Sequence, residues 1–347
     1  MTAYQRLLFP LLKRLDPEAA HDRTLAALQL AQGRTAGRAL LRRIAGELPA
    51  APVRAFGLTF PNVLGVAAGF DKDVRVAHGL GLLGFGHVEV GTLTPKPQDG
   101  NPKPRIFRLP EDEAIINRMG FPNGGVIQAV GRLHRLAQHK EDLIIGVSLG
   151  KQKPTLLEDA ALDYMQVMRA VYKSADYLAV NISSPNTPGL RELQGGDYLG
   201  QLLRTLRVEG EVLARRLGVP KRPLLVKIAP DLTWRELDAI LETVLAQEMD
   251  GLIATNTTIS RHGVKSALQS EAGGLSGRPL RDQSNAIIRY VVQHTGGTLP
   301  VIGVGGVKTA ADARAKLDAG ATLVQLYTGL VYAGPGIAGR LLRQLHP

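Results

Sequence analysis

Residues 181–189 read Asn-Ile-Ser-Ser-Pro-Asn-Thr-Pro-Gly and follow directly on the apolar run Tyr177-Leu-Ala-Val180. A strand that runs into turn residues of this kind holds its side chains in fixed directions. Asn181 and Asn186 each carry a carbonyl acceptor and an amide donor pair, which suits a planar ligand rich in C=O and N–H groups. Ser183, Ser184 and Thr187 add hydroxyls able to move a proton. Lys72, in Ala68-Gly-Phe-Asp-Lys72, can pair a substrate carboxylate, and Lys227, in Leu224-Leu-Val-Lys227, can stabilise developing negative charge. The glycine-rich segments Gly303-Val-Gly-Gly306 and Tyr327-Thr-Gly329 offer open backbone N–H groups to one phosphate. Taken alone, a Ser/Asn/Pro cluster of this kind is more often a polar loop that caps a strand.

The elements that must position these groups weigh against that blander reading. From residue 57 onward, short β-rich runs alternate with helical segments. Strands are expected near Val63–Ala67, His87–Gly91, Leu143–Ser148, Tyr177–Asn181, Leu224–Ile228, Gly251–Thr255, Val301–Val304 and Thr322–Tyr327. That alternation indicates a parallel (β/α)8 barrel, of the α/β class. Almost every strand then ends in polar or phosphate-friendly chemistry: Ala68–Lys72, Thr92, Asn181, Lys227, Thr255-Asn-Thr257, Gly303–Gly306 and Tyr327–Gly329. In such barrels catalytic groups come from the C-terminal strand ends, and phosphate is often held after strands seven and eight. The stretch from Thr92 to Arg118 is too long for a simple unit and reads as an excursion over the barrel mouth. Gly79-Leu-Gly-Leu-Leu-Gly84 fits a dinucleotide fingerprint but precedes a strand instead of following one, so it reads as a helix end and turn.

Residues 1–50 have a different character. Tyr4, Leu7, Leu8, Leu11, Leu12 and Leu15 recur at three- and four-residue spacing, predicting one apolar helical stripe flanked by Arg6, Lys13 and Arg14. Asp16-Pro17 predicts an N-cap and first-turn proline for a second helix through Ala31. Gly33 to Gly37 predicts a break before a shorter stretch with Leu40, Leu41 and Ile44. Such helices suit either a membrane interface or ordinary packing on the adjoining domain, residues 51–347.

Composition narrows the classes further. The chain has 347 residues, 44% hydrophobic and 21% charged, enough for one large domain with an appendage. It has no cysteine, which removes disulfides, thiolate metal sites, cysteine-ligated clusters and cysteine nucleophiles. No metal site is expected. The formal charge of +11 favours an anionic partner. Without a dense basic block or interleaved aromatics, nucleic acid is not expected. No apolar run reaches membrane-spanning length. A single phosphate cradle suits FMN better than a dinucleotide, and Asn117, Asn181, Asn186 and Asn256 suit a pyrimidine-like ring.

The segments AAGFDKD, VGTLTPKPQDGNPKPRIFRLPEDEAIINRMGF, NISSPNTPGLRELQ, LVKIAPDL, ATNTT, GGLSGRPL, VIGVGGV and LVQLYTGLVYAGP resemble dihydroorotate dehydrogenase of class 2, the quinone-dependent form. The likeness spans nearly the whole chain in the family's order, and DPEAAH at Asp16–His21 resembles that class's N-terminal extension. The resemblance implies oxidation of (S)-dihydroorotate to orotate in de novo pyrimidine (UMP) synthesis. FMN would take the hydride, and a membrane quinone, ubiquinone or menaquinone, would take the electrons. It implies Ser184 as the base at C5, with Thr187 and Phe121 placing a proton-relay water. Ala68, Gly69, Phe70, Asp71, Lys72, Thr92, Ser148, Asn181, Lys227, Thr255, Gly277, Gly306, Tyr327 and Thr328 match FMN contacts. Lys72, Asn117, Arg118, Met119, Gly120, Phe121, Asn181, Asn186, Asn256 and Thr257 match substrate contacts. Ser148 departs from the family's usual Asn, which weakens that FMN contact or leaves it to a water.

The absence of a cysteine base agrees with serine. The resemblance also implies that residues 1–50 face lipid and admit the quinone. The expected protein is a monomer held peripherally on the cytoplasmic side of a bacterial cytoplasmic membrane. Two rival readings of the residues stand beside it: a Schiff-base lyase using Lys227, and a basic peripheral membrane or nucleic-acid binder without catalysis.

Overall fold

Eight strands, buried along nearly their whole length, close on themselves in parallel, as the apolar runs require. The computed structural model describes Thr2 and residues 4–346. In chain order a hairpin, β1 (Val53–Ala55) and β2 (Leu58–Phe60), precedes the barrel strands β3 (Leu64–Val66) and β4 (His87–Leu93). Two strands outside the barrel follow, β5 (Ile106–Leu109) and β6 (Ala114–Asn117). The barrel resumes with β7 (Ile144–Leu149), β8 (Tyr177–Asn181), β9 (Leu224–Ile228) and β10 (Gly251–Ala254). After β11 (Gly274–Gly277), outside the barrel, β12 (Val301–Val304) and β13 (Leu323–Leu326) complete it, β13 pairing back onto β3.

All eight expected strands are present, with ends within two residues of the expectation. The excursion is a three-stranded antiparallel sheet in the order β11-β6-β5. Its Gly274-Leu-Ser-Gly277 strand was not expected, because a segment so rich in glycine reads as loop. The hairpin β1–β2 was also missed. Its Phe60 packs edge-on against His87, the first residue of β4, so the hairpin plugs the end of the barrel where the strands begin. The GxGxxG run forms the helix Ala77–Leu82 and a turn with Gly84 at φ +100°, as expected from its position.

The N-terminal helices differ in detail from the expectation. Tyr4–Leu8 is a π-helical turn, and α1 (Phe9–Leu12) follows it, where one continuous helix was expected. Pro10 has no N–H to continue the ladder from the preceding turn. Helix α2 (Pro17–Gln32) begins at Asp16, whose carboxylate accepts from the N–H groups of Glu18 and Ala19 at 3.0 and 2.9 Å. Helix α3 (Thr35–Ala45) contains Gly37, which was expected to lie in the break. A Cβ at Gly37 would run into the Ala31 carbonyl, so this glycine serves the close crossing of α2 and α3. Leu25 and Leu41 are buried in the main core, which makes α2 and α3 part of the barrel's packing. Leu7, Leu8 and Leu11 are 68%, 55% and 60% exposed. Among the described residues no helix is long and apolar enough to cross a membrane.

Candidate active site

The C-terminal strand ends and the three-stranded sheet enclose one cavity. Ala68, Gly69 and Lys72 reach its wall from the loop after β3, Thr92 from β4, and Asn181 from the end of β8. Lys227 comes from β9, Thr255, Asn256 and Thr257 follow β10, and Gly306, Tyr327 and Thr328 complete the barrel's share. The outer sheet and its flanks add Asn117, Met119, Gly120, Phe121 and Gly277. Register explains part of this convergence: Asn181 pairs with Lys227, so both end at one height.

Five of the expected site residues stand outside that wall. Phe70 and Asp71 turn away from it, Phe70 packing edge-on between His21 and Tyr327. Asp71 is fully buried and accepts from the N–H groups of Arg75 and Val76 at 2.7 and 2.8 Å, fixing the loop that carries Gly69 and Lys72. Ser148 lies behind Thr92, their hydroxyls 2.9 Å apart, and Thr92 in turn accepts from the Asn181 amide at 2.9 Å. Arg118 pairs with Glu271 at 2.6 Å and stacks over Phe107. Thr187 is buried, and its hydroxyl has no partner among the described residues.

The hydroxyls after β8 separate into two kinds. Ser183 is fully buried, accepts from Asn256 Nδ2 at 3.0 Å and donates to Asn181 Oδ1 at 3.3 Å, so it holds the amides in place. Ser184 lines the cavity, and its Oγ is engaged only by the Asn186 N–H at 3.3 Å. Asn186 donates to Asn117 Oδ1 at 3.2 Å, joining β8's loop to the outer sheet. The result is a rim of mutually oriented amides beside the cavity-lining Ser184 hydroxyl.

On the phosphate side, the N–H groups of Gly305, Gly306, Thr328 and Gly329 donate to no acceptor among the described residues. Gly306 has φ +74°, and a Cβ there would overlap Arg281. Such a concave set of free N–H groups fits one phosphate. Lys72 lines the same cavity. Burial pulls its ammonium down to about 8, against the opposing pull of Glu18, Asp22 and Asp73.

Beneath the cavity lies a cluster that the sequence reading overlooked. Glu89, fully buried on β4, accepts from Lys227 Nζ at 3.1 Å through one oxygen. Its other oxygen accepts from Gln325 Nε2 at 3.1 Å and from the Tyr177 hydroxyl at 3.4 Å. Burial first, then the Glu89 carboxylate, push the Tyr177 phenol well above its usual range, which keeps it a donor. Gln325 lines the cavity and its Oε1 has no partner. The available signal was a charged or amide residue inside a strand otherwise buried on both faces, as in His87-Val-Glu-Val90.

On the flank, His21 of α2 stands edge-on to Phe70 at 5.2 Å, and Phe70 edge-on to Tyr327 at 5.8 Å. Burial, with the Lys72 charge adding to it, holds His21 at about 3 and therefore neutral. Arg108 donates to the carbonyls of Leu12 and Leu15, and Phe9 packs on Tyr332 at 5.3 Å. An aromatic path thus joins the N-terminal helices to the cavity wall. Among the described residues no group of His, Asp and Glu is placed to hold a metal ion.

Comparison with known proteins gives a consistent result. The dihydroorotate dehydrogenase family profile matches residues 51–347. A Synechococcus protein named dihydroorotate dehydrogenase (quinone) is 49% identical, over 99% of this chain and 93% of its own length. The protein of that name from Chromobacterium violaceum is 50% identical, over 97% of this chain and 96% of its own. Among solved structures, DHODH from Eimeria tenella in complex with ferulenol superposes with a TM-score of 0.85 at 39% identity, covering 95% of this chain and 90% of that one.

Proposed function

The chain belongs to the dihydroorotate dehydrogenase family, with the quinone-dependent enzymes as its relatives, and on that premise we propose that it oxidises dihydroorotate on bound FMN with Ser184 as the base. The observation that carries this reading is that Ser184, whose Oγ accepts only the Asn186 N–H, shares one amide-rimmed cavity with a phosphate cradle of unpaired N–H groups. The residues present fit the flavin: the cradle takes the phosphate, and the orphaned Gln325 Oε1 and Lys227 offer an acceptor and a donor to the ring system. When bound, FMN supplies the acceptor for the hydride from C6 and the route for electrons to a quinone.

The chain's own groups supply the rest. Asn117, Asn186 and Asn256, held by one another and by Ser183, orient the substrate's ring amides. Lys72 pairs the carboxylate. Ser184 Oγ takes the proton from C5 and must pass its own onward. The unpaired Thr187 hydroxyl, buried three residues along the same loop, supports a path in which a water carries it. The Schiff-base alternative is disfavoured, because the Lys227 ammonium is engaged by Glu89 instead of standing as a free amine.

The exposed Leu7, Leu8 and Leu11, beside Arg6, Lys13 and Arg14, support a peripheral contact with anionic lipid on the cytoplasmic face of the membrane. Quinone would enter between α1 and α2, towards the His21–Phe70–Tyr327 path. The test is chemical analysis of the purified protein: one FMN released per chain on acid treatment is expected. A protein that neither carries FMN nor takes it up on reconstitution overturns the proposal.

A further inference from the structure

We propose that Glu89 is a positioning residue for the reaction: its buried carboxylate dictates which atoms Lys227 and Gln325 present to the cavity, and thereby tunes the reduction potential of the flavin held there. The inference rests on the FMN reading above.

A carboxylate only accepts, so every group turned towards Glu89 must donate. Gln325 spends its Nε2 hydrogens on Glu89 Oε2 at 3.1 Å and on the Tyr177 hydroxyl at 3.2 Å. Its amide therefore cannot flip without setting an oxygen against a carboxylate, and Oε1 is the atom left over. That oxygen is buried, without a partner among the described residues, on a side chain that lines the cavity. Lys227 gives a hydrogen to Glu89 Oε1 at 3.1 Å and also lines the cavity, so its other hydrogens are available there. The cavity floor thus carries a fixed donor and a fixed acceptor. That pairing is complementary to a ring edge that alternates acceptor and donor, as the pyrimidine part of a flavin does.

Packing holds the cluster in place. Glu89, Tyr177, Lys227 and Gln325 come from β4, β8, β9 and β13, four different strands, and meet inside the barrel. The Tyr177 ring occupies the space left open by Gly146 on β7, where a Cβ would overlap it. All four residues are at most 4% exposed, so solvent cannot readily replace a partner that the carboxylate loses. An uncompensated charge here is expensive, which ties the Lys227 ammonium and Glu89 together.

Charge gives the second consequence. Lys227 favours negative charge in the cavity, and Glu89 partly cancels that effect. Glu89→Gln removes the cancelling charge and leaves the ammonium. Reduction of the flavin adds electron density, so it becomes easier. The substituted amide also offers an Nε2 towards Gln325 and Tyr177, which turns the Gln325 amide round and withdraws its acceptor from the cavity.

The experiment is a dye-coupled redox titration of wild-type and Glu89→Gln holoprotein, together with the rate of FMN release. We expect the oxidised-to-reduced ratio at a fixed potential to shift by about tenfold or more towards reduced flavin, about 30 mV for a two-electron couple. Faster FMN release is expected beside it. A potential and release rate equal to wild type overturn the inference while leaving the flavin reading intact. A wild-type protein without affinity for FMN overturns both. If Glu89→Gln does not fold, Glu89→Asp keeps the charge but draws it back from Gln325 and Tyr177. That variant should release FMN faster at a nearly unchanged potential, and release at the wild-type rate overturns the inference. In Glu89→Gln, a residue that only supported the fold would lower the melting temperature and leave the potential where it was.

Discussion

Glu18→Gln tests how the N-terminal helices are coupled to the site. Glu18, in the first turn of α2, forms a two-pronged pair with Arg105 at 2.6 and 3.1 Å. The side chains are only 12% and 8% exposed. Arg105 also donates to the carbonyls of Asp99 and Asn101. Asn101 in turn donates to the carbonyl of Asn186, so the helix is linked to the cavity rim. Removing one partner of a buried pair costs about 3–5 kcal/mol. Glutamine keeps an acceptor and Arg105 keeps its carbonyls, so about 2–3 kcal/mol is expected here. Unfolding entropy of about 2.1 cal/mol/K per residue makes that a fall of about 3–4 °C in Tm for this chain length.

The pH dependence has a definite sign. Burial pushes the Glu18 carboxyl up, but Arg105 and Lys103 outweigh it and hold the group below its ordinary value. A depressed carboxylate stabilises the fold fully above its unfolded pKa, about 4.3, and the contribution is lost as pH falls through the folded value. Melts of both proteins from pH 7 to pH 3.5 should therefore show a gap that is full at neutrality and closes in acid. Equal Tm at pH 7, or a gap that persists unchanged at the acid end, would refute the reasoning.

Four other outcomes are expected. Ser184→Ala should keep FMN and slow flavin reduction by about 10²–10⁴-fold, the usual share of general-base catalysis, and stopped-flow reduction at the wild-type rate would remove Ser184 from its role. Gly306→Ala should be purified without flavin, since the new Cβ would meet Arg281 at a φ of +74°; a yellow, stoichiometrically loaded variant contradicts the cradle. With Lys72 protonated only below about 8, KM for dihydroorotate should rise as pH climbs past that value, and Lys72→Met should abolish the step. Removing residues 1–15, short of the Asp16 cap, should spare reduction by dihydroorotate and impair quinone turnover; full quinone activity would sink the docking reading.

Legibility in the sequence followed burial. The barrel strands were readable because each is an apolar run closed by turn residues, and the polar groups at their ends marked one rim. Local alternation was harder to see. Phe70 and Asp71 share a motif with Gly69 and Lys72 yet turn from the cavity, and Ser148 stands behind Thr92. Gly37 looked like a breaker because a glycine needed for close helix packing and one that ends a helix are the same letter. Glu89 and Gln325 stood out only as polar residues within apolar strands, and their partners emerge only when four strands meet. Ser183 and Ser184 are adjacent and chemically alike, and only their hydrogen bonding and access to the cavity separate the support from the candidate base.

The central claim, dihydroorotate oxidation on FMN in this cavity, is tested most directly by mixing the purified protein anaerobically with dihydroorotate and following flavin absorbance. The account predicts bleaching, then recovery on adding a ubiquinone analogue but not NAD⁺ or fumarate. A flavin-loaded protein whose absorbance does not change with dihydroorotate would contradict it.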